Sequence, residues 1–156
     1  MEYTVRFAHL KNLPNFQEGD IIHEGMFIGR MGSSGESIHN HLHIDVVEGS
    51  VDKLIRLKEI GYEPEKFYIP NIRQLNYFIG EKLFKFKVVI TTHFYDPEYK
   101  IKRKKDHPGY DVVPQDRHRR KKHFNIFWNR SKKGTVLKVG YDEKGYGNYI
   151  LIGYEA

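Results

Sequence analysis

His39-Asn40-His41-Leu42-His43-Ile44-Asp45 is the stretch that decides how the rest of the chain is read. As a strand, it sends successive side chains to opposite faces. His41, His43 and Asp45 then share one face, and Leu42, Ile44 and Val46 take the other. Side chains two apart on a strand stand about 7 Å apart. Two imidazoles are therefore held side by side on a rigid element backed by apolar packing, which suits a chemical site better than a solvated loop does. Asp45 shares the parity of His43, so it is either an outer partner of that histidine or a plain surface carboxylate.

Outward toward the N-terminus, Ser33-Ser34-Gly35 reads as a turn and Phe27 to Gly32 as a short strand with glycines. Glu18 to Gly25 brackets the apolar pair Ile21-Ile22 with glycines, and Lys11 to Phe16 is a loop broken by Pro14. Tyr3 to Leu10 alternates as a strand, with Tyr3, Val5, Phe7 and His9 on one face. On parity alone, His9 ends an apolar face as a core histidine.

Outward toward the C-terminus the pattern turns helical. Val51 to Ile60 carries apolar residues at helical spacing with Gly61 as its stop. Asn71 to Ile79 repeats this, with Asn71 as N-cap and Gly80 as stop. Both helices belong to a connecting segment, residues 47–82, and flank a loop from Pro64 to Pro70. Leu83 to His93 reads as a strand, and Phe94 to Lys105 as a polar loop ending in a basic run. His107 and Asp111 would stand about 13 Å apart in one continuous strand. Pro108-Gly109 between them is a turn pair that can fold them together. A second basic run spans Arg117 to Lys122, followed by short strands at Phe124 to Trp128, Gly134 to Gly140 and Tyr146 to Ile152. The fold class is α+β, mainly β, in a single domain of residues 1–156.

Cysteine is absent, so a metal must be held by histidine and carboxylate, and no thiol can serve as nucleophile. No apolar run is long enough to span a membrane, and no signal-peptide core follows Met1. The formal net charge of +6 favours an anionic partner, either nucleic acid or a bacterial wall.

Taken together, the motifs resemble the lysostaphin-type zinc endopeptidases, which cut peptide cross-links of bacterial peptidoglycan. That family runs from a His-x-x-x-Asp motif through a Gly-Thr-Val strand, a Tyr-Gly-Asn strand, an Ala-His-Leu strand and paired glycine turns to His-Leu-His. Here His107 to Asp111 supplies the first motif, followed by Gly134-Thr135-Val136 and Tyr146-Gly147-Asn148. Ala8-His9-Leu10, Gly25-Met26-Phe27-Ile28-Gly29 and His41-Leu42-His43 lie ahead of them. The order is that of a circular permutant cut between the strands of Tyr149–Ile152 and Tyr3–His9, which the family joins by a hairpin. Such a cut is tolerable because the joined strands remain neighbours. The rotated order is similar to that of endopeptidase domains on tail tips of small phages of Gram-positive bacteria.

The resemblance implies an antiparallel sheet carrying the site and one Zn2+ per chain on His43, His107 and Asp111. It also implies that His9 and His41 are catalytic histidines that do not bind the metal. Two imidazoles, a carboxylate and a water are the open tetrahedral set of a hydrolytic zinc site. The implied partners are stem and cross-bridge peptides of peptidoglycan, with anionic wall polymers attracted by the basic runs, and no membrane. The expected setting is the cell wall, reached as a phage virion component or lysis protein. His23, His39, His93, His118 and His123 are given no role. Two other readings are a catalytically inactive wall-binding or regulatory relative and a basic nucleic-acid-binding protein. The second leaves the rotated motif order unexplained.

Overall fold

In the computed structural model, residues 2–37, 39–49, 71–103, 107 and 109–156 are described. The strands are β1 Glu2–Leu10, β2 Ile21–Ile22, β3 Phe27–Arg30, β4 Leu42–Glu48, β5 Val88–Thr92, β6 Tyr110–Pro114, β7 Asn125–Phe127, β8 Gly134–Asp142 and β9 Gly147–Glu155. Two short helices, α1 Ile72–Asn76 and α2 Pro97–Arg103, accompany them. Seven strands form one sheet in the order β2-β8-β9-β1-β4-β6-β5, and β3 pairs with β7 separately. Every strand pairing is antiparallel. The mainly β, α+β architecture expected from the sequence is present. None of the described helices is long and apolar enough to cross a membrane.

The alternation in β1 and β4 sets up two different faces. Val5 pairs with Val46 and Phe7 with Ile44, while Arg6 pairs with Asp45 and Ala8 with His43. The first set is the core face, on which Val5, Phe7, Leu42 and Ile44 are fully buried beside Ile150 and Ile152 of β9. Leu75, Phe78 and Trp128 close over it, with the Phe78 ring edge-on to both Phe7 and Trp128. The second set carries the polar side chains of the site. β4 is thus buried on both faces, the apolar one by core packing and the histidine one by partners described below.

β1 lies between β4 and β9, and its register with β9 pairs Tyr3 with Tyr154, Val5 with Ile152 and Phe7 with Ile150. This is the strand neighbourhood that the rotated motif order requires.

The helix expected from Asn71 is formed. The Asn71 side chain accepts from Gln74 N at 2.9 Å, and its backbone N–H donates to Val46 O at 2.9 Å, tying the cap to β4. Asn71→Ala is expected to cost about 1 kcal/mol, as loss of an N-cap does. A lower urea midpoint with an unchanged slope is the measurement that checks it.

Two expectations change, and one falls outside the described residues. The helix expected at Val51 to Ile60 and the loop from Pro64 lie outside the described residues. The strand expected over Leu83 to His93 shrinks to Val88–Thr92. Leu83 and Phe84 instead enter the core from a turn in which Lys85 takes φ of 62°, and Leu83 O accepts from Phe127 N. Finally, the expected loop Phe94 to Lys105 contains helix α2. Asp96 caps it, its Oδ1 accepting from Glu98 N at 3.0 Å, and Pro97 occupies the first helical position, where a missing N–H costs nothing.

Candidate metal centre

β4 and β6 present the centre across one register position, His43 opposite Asp111. Asp111 Oδ1 stands 3.1 Å from His43 Nδ1, 3.4 Å from His107 Nε2 and 3.6 Å from His41 Nε2. His107 reaches in from the segment just before β6. Gly109 allows this segment to approach, because a Cβ there would fall 2.2 Å from Ile44 O. One ligand atom from each of His43, His107 and Asp111 lies within 4.8 Å of the others. Among the described residues this is the group that could hold a metal ion.

Hydrogen-bond partners fix which nitrogen each ring turns inward. A carbonyl oxygen only accepts, so a ring nitrogen bonded to one must carry the hydrogen. His107 Nδ1 donates to His93 O at 3.2 Å, and His41 Nδ1 to His39 O at 2.9 Å. A second hydrogen on Nε2 is not required by these contacts, and in the neutral form each ring would direct an Nε2 lone pair toward Asp111. His43 lies between two carboxylates, with Nε2 2.9 Å from Asp45 Oδ2 and Nδ1 facing Asp111. A neutral His43 has one hydrogen for these two contacts. With the rings neutral, the cluster around Asp111 Oδ1 has more lone pairs than hydrogens, and a cation seated among them would relieve the excess.

The charges respond to this crowding. Burial works against ionisation of Asp111, but the adjoining His107 and His43 rings outweigh it and hold the carboxyl far below the usual carboxylate range. Burial likewise opposes a charged His43, and its hydrogen bonds to Asp111 and Asp45 overcome this, so its pKa is raised. Asp45 is buried, which disfavours its charge, yet the Arg6 guanidinium and His43 bring it down to about 2. Arg6 holds it through two contacts, Nη2 to Oδ2 at 2.6 Å and Nε to Oδ1 at 3.2 Å. In the metal-free protein this depressed pKa stabilises the fold fully above pH 3.8, and the contribution disappears as pH falls through about 2. The difference in Tm between the wild type and Asp45→Asn should therefore narrow between pH 4 and pH 2.

His9 arrives by a different route. Its parity would place it with Phe7 against the core. A bulge between Phe7 and Leu10 inserts one extra residue on β1, with His9 at φ 60°. The bulge re-aims the side chain onto the histidine face, as bulges near sites do. Its ring lies 4.8 Å from that of His41 and 6.2 Å from that of His43. Its Nδ1 donates to Ser34 O at 2.7 Å, which leaves Nε2 as the acceptor. Burial, reinforced by the neighbouring histidines, pushes His9 down to about 4 against the pull of that carbonyl.

The bulge is clamped from three sides. His9 N donates to Tyr146 O at 2.7 Å. Asn148 N donates to Ser34 Oγ, and Asn148 Nδ2 to Leu10 O at 3.1 Å. Gly147, at φ 62°, passes so close to Ser34 that a Cβ would lie 2.3 Å from the Ser34 carbonyl carbon. The Tyr-Gly-Asn motif thus acts on the site through the backbone that shapes His9.

All five residues singled out from the sequence, His9, His41, His43, His107 and Asp111, therefore meet in one volume, and Asp45 resolves as a buried partner of His43. The sequence reading missed Arg6, Ser34, Tyr146 and Tyr99. Tyr146 stacks under the Arg6 guanidinium at 3.6 Å and lies 5.4 Å from the His43 ring, and the Tyr99 ring lies 4.5 Å from that of His107. Arg6 had a signal, since the pairing that sets Ala8 opposite His43 also sets Arg6 opposite Asp45. Ser34 acts through a turn carbonyl and had none. His23 and His39 are exposed, and His123 donates to Met31 O at 3.0 Å.

Compared with known proteins, the chain matches no family model, no curated protein and no solved structure.

Proposed function

We propose that the protein is a zinc-dependent endopeptidase that hydrolyses peptide cross-links of bacterial peptidoglycan, a lysostaphin-type enzyme with its motifs in rotated order. The observation that carries this reading is the convergence of His43 Nδ1, His107 Nε2 and an ionised Asp111 Oδ1, with both outer imidazole nitrogens already bonded. A tetrahedral zinc with bonds of about 2.0–2.1 Å sets its donor atoms roughly 3.3 Å apart. The 3.1 and 3.4 Å separations from Asp111 to the two nitrogens match that spacing. Asp45 and the His93 carbonyl supply the outer hydrogen bonds that orient metal-binding imidazoles. Bound there, zinc would lower the pKa of a water toward neutrality and polarise the scissile carbonyl.

The chain's own residues do the rest. His9 and His41 both offer an Nε2 acceptor beside the metal group, and neither belongs to the group whose ligand atoms all lie within 4.8 Å of one another. One takes the proton of the attacking water. The other supports the oxyanion or returns a proton to the leaving amine, which breaks the C–N bond. His9 is neutral at pH 7 because burial disfavours its charge. The pairing of β1 with β9 supports the rotated order, because it makes neighbours of the Ala-His-Leu and Tyr-Gly-Asn strands.

The test is incubation of the protein with purified walls of different cross-link chemistry and identification of the released ends by mass. New amino termini that vanish on chelation and return with zinc are expected. Zinc binding without any cleavage would indicate an inactive relative, and tight salt-sensitive DNA binding without cleavage would indicate a nucleic-acid protein.

A further inference from the structure

The second basic run forms a concavity of its own, remote in role from the histidine cluster. Gln115, Asp116, Arg117, Arg119 and Arg120 line an open cleft of about 540 Å³. The single acid in it is committed elsewhere: Asp116 Oδ1 accepts from His118 N at 2.7 Å, and Oδ2 lies 3.9 Å from Lys122 Nζ. Among the described residues, no carboxylate stands within ion-pair distance of the guanidinium groups of Arg117, Arg119 or Arg120. Three unneutralised guanidiniums around one hollow make a strong positive potential with forked donors suited to phosphate oxygens.

The loop is not a free arm. Its turns are closed by Arg119 N to Asp116 O and by Lys121 N to His118 O. At its base Gln115 N donates to Lys87 O at 2.7 Å. At its far end the buried Asn40 side chain donates to Arg120 O at 3.2 Å and to Lys122 O at 3.1 Å. Asn40 immediately precedes His41, so the cleft is fixed to the strand that carries the site.

We propose that this cleft is a phosphate-binding site for an anionic phosphodiester polymer without bases, such as a polyol-phosphate chain of the wall, held beside the hydrolytic centre. The proposal rests on the wall-hydrolase reading for its partner. Among the described residues no aromatic side chain lines the cleft, which sets it apart from a single-stranded nucleic-acid groove, where bases stack on aromatic platforms. Guanidiniums reading phosphate oxygens with nothing to stack on favour a polymer that is charge and polyol alone.

The experiment titrates the full chain with a poly(glycerol phosphate) oligomer and with single-stranded DNA of equal charge, at two salt concentrations. The parent is expected to bind the polyol phosphate at least as tightly as the DNA, with affinity falling as salt rises. The triple variant Arg117→Glu, Arg119→Glu, Arg120→Glu should lose at least tenfold in polyol-phosphate affinity. A lysine triple variant, which keeps charge and removes the fork, should fall between the two and guards against misfolding of the first. Unchanged affinity in both variants, or DNA bound more tightly than polyol phosphate, would overturn the proposal. Cleavage of a short soluble cross-bridge peptide separates this outcome from the parent reading. Peptide cleaved without polymer binding removes the cleft alone, and polymer bound without cleavage removes the hydrolase reading alone.

Discussion

His43→Ala is expected to purify with little metal and to melt lower, whereas His41→Ala, only two residues away, keeps its metal and its Tm. The two histidines share a strand face, and their difference lies in what each inner nitrogen meets. His43 Nδ1 stands with His107 and Asp111 in the group that could hold an ion, and its loss removes one of the three candidate ligands. Metal binding is coupled to folding, so the loss also reads as stability. His41 Nε2 stands farther off, at 3.6 Å from Asp111, and its ring packs on His9. Its removal should cost proton transfer or oxyanion support, on the order of 10²- to 10⁴-fold in rate. His9→Ala should behave as His41→Ala does. Zinc per chain measured beside wall-cleavage rate checks all three. A His41→Ala protein that loses zinc while His43→Ala retains it would reverse the assignment.

Asp45→Ala is expected to damage the centre without touching the metal. Asp45 takes His43 Nε2 at 2.9 Å and is itself gripped by Arg6. Without it His43 is free to rotate or to exchange tautomers, and loss of such an outer partner typically weakens metal affinity 10- to 100-fold. It also removes the carboxylate that grips the Arg6 guanidinium, whose side chain is 15 % exposed. Breaking a fully buried pair costs about 3–5 kcal/mol. Residual solvent contact and the Tyr146 ring under Arg6 should keep the loss here below that range. Titration with zinc and a denaturant melt measure the two effects separately. Asp45→Asn, which still accepts from Nε2, should recover most of the metal affinity and less of the stability.

The face assignments along His41 to Val46 were legible because strand parity is a geometric rule, and β4 follows it through its whole length. The joining of β1 to β9 was legible from motif order, which parity cannot supply. His9 shows where parity stops. A bulge resets the alternation, and its cause lies in Ser34, Gly147 and Asn148, all farther along the chain and the nearest of them 25 residues away. Helix α2 was misread although Asp96-Pro97 carries a cap and a first-turn proline, because the exposed run that follows has no apolar stripe to mark it. None of its residues is buried. Leu83 to Phe86 was misread for the opposite reason. Its aromatic and lysine residues alternate, but the chain there turns rather than extends, and tertiary packing of Leu83 and Phe84 decides it.

β1 has one neighbour from each end of the sequence, and this orders events in time. As the chain is synthesised, β1 meets β4 early, then β6 brings His107 and Asp111 to His43. The edge of β1 that awaits β9 stays open until the last strand emerges. Only then do Tyr146, Gly147 and Asn148 arrive to lock the turn that aims His9. Pairings between strands so far apart in sequence fold slowly. The three side chains of the candidate metal centre can therefore meet before the turn that aims His9 is locked.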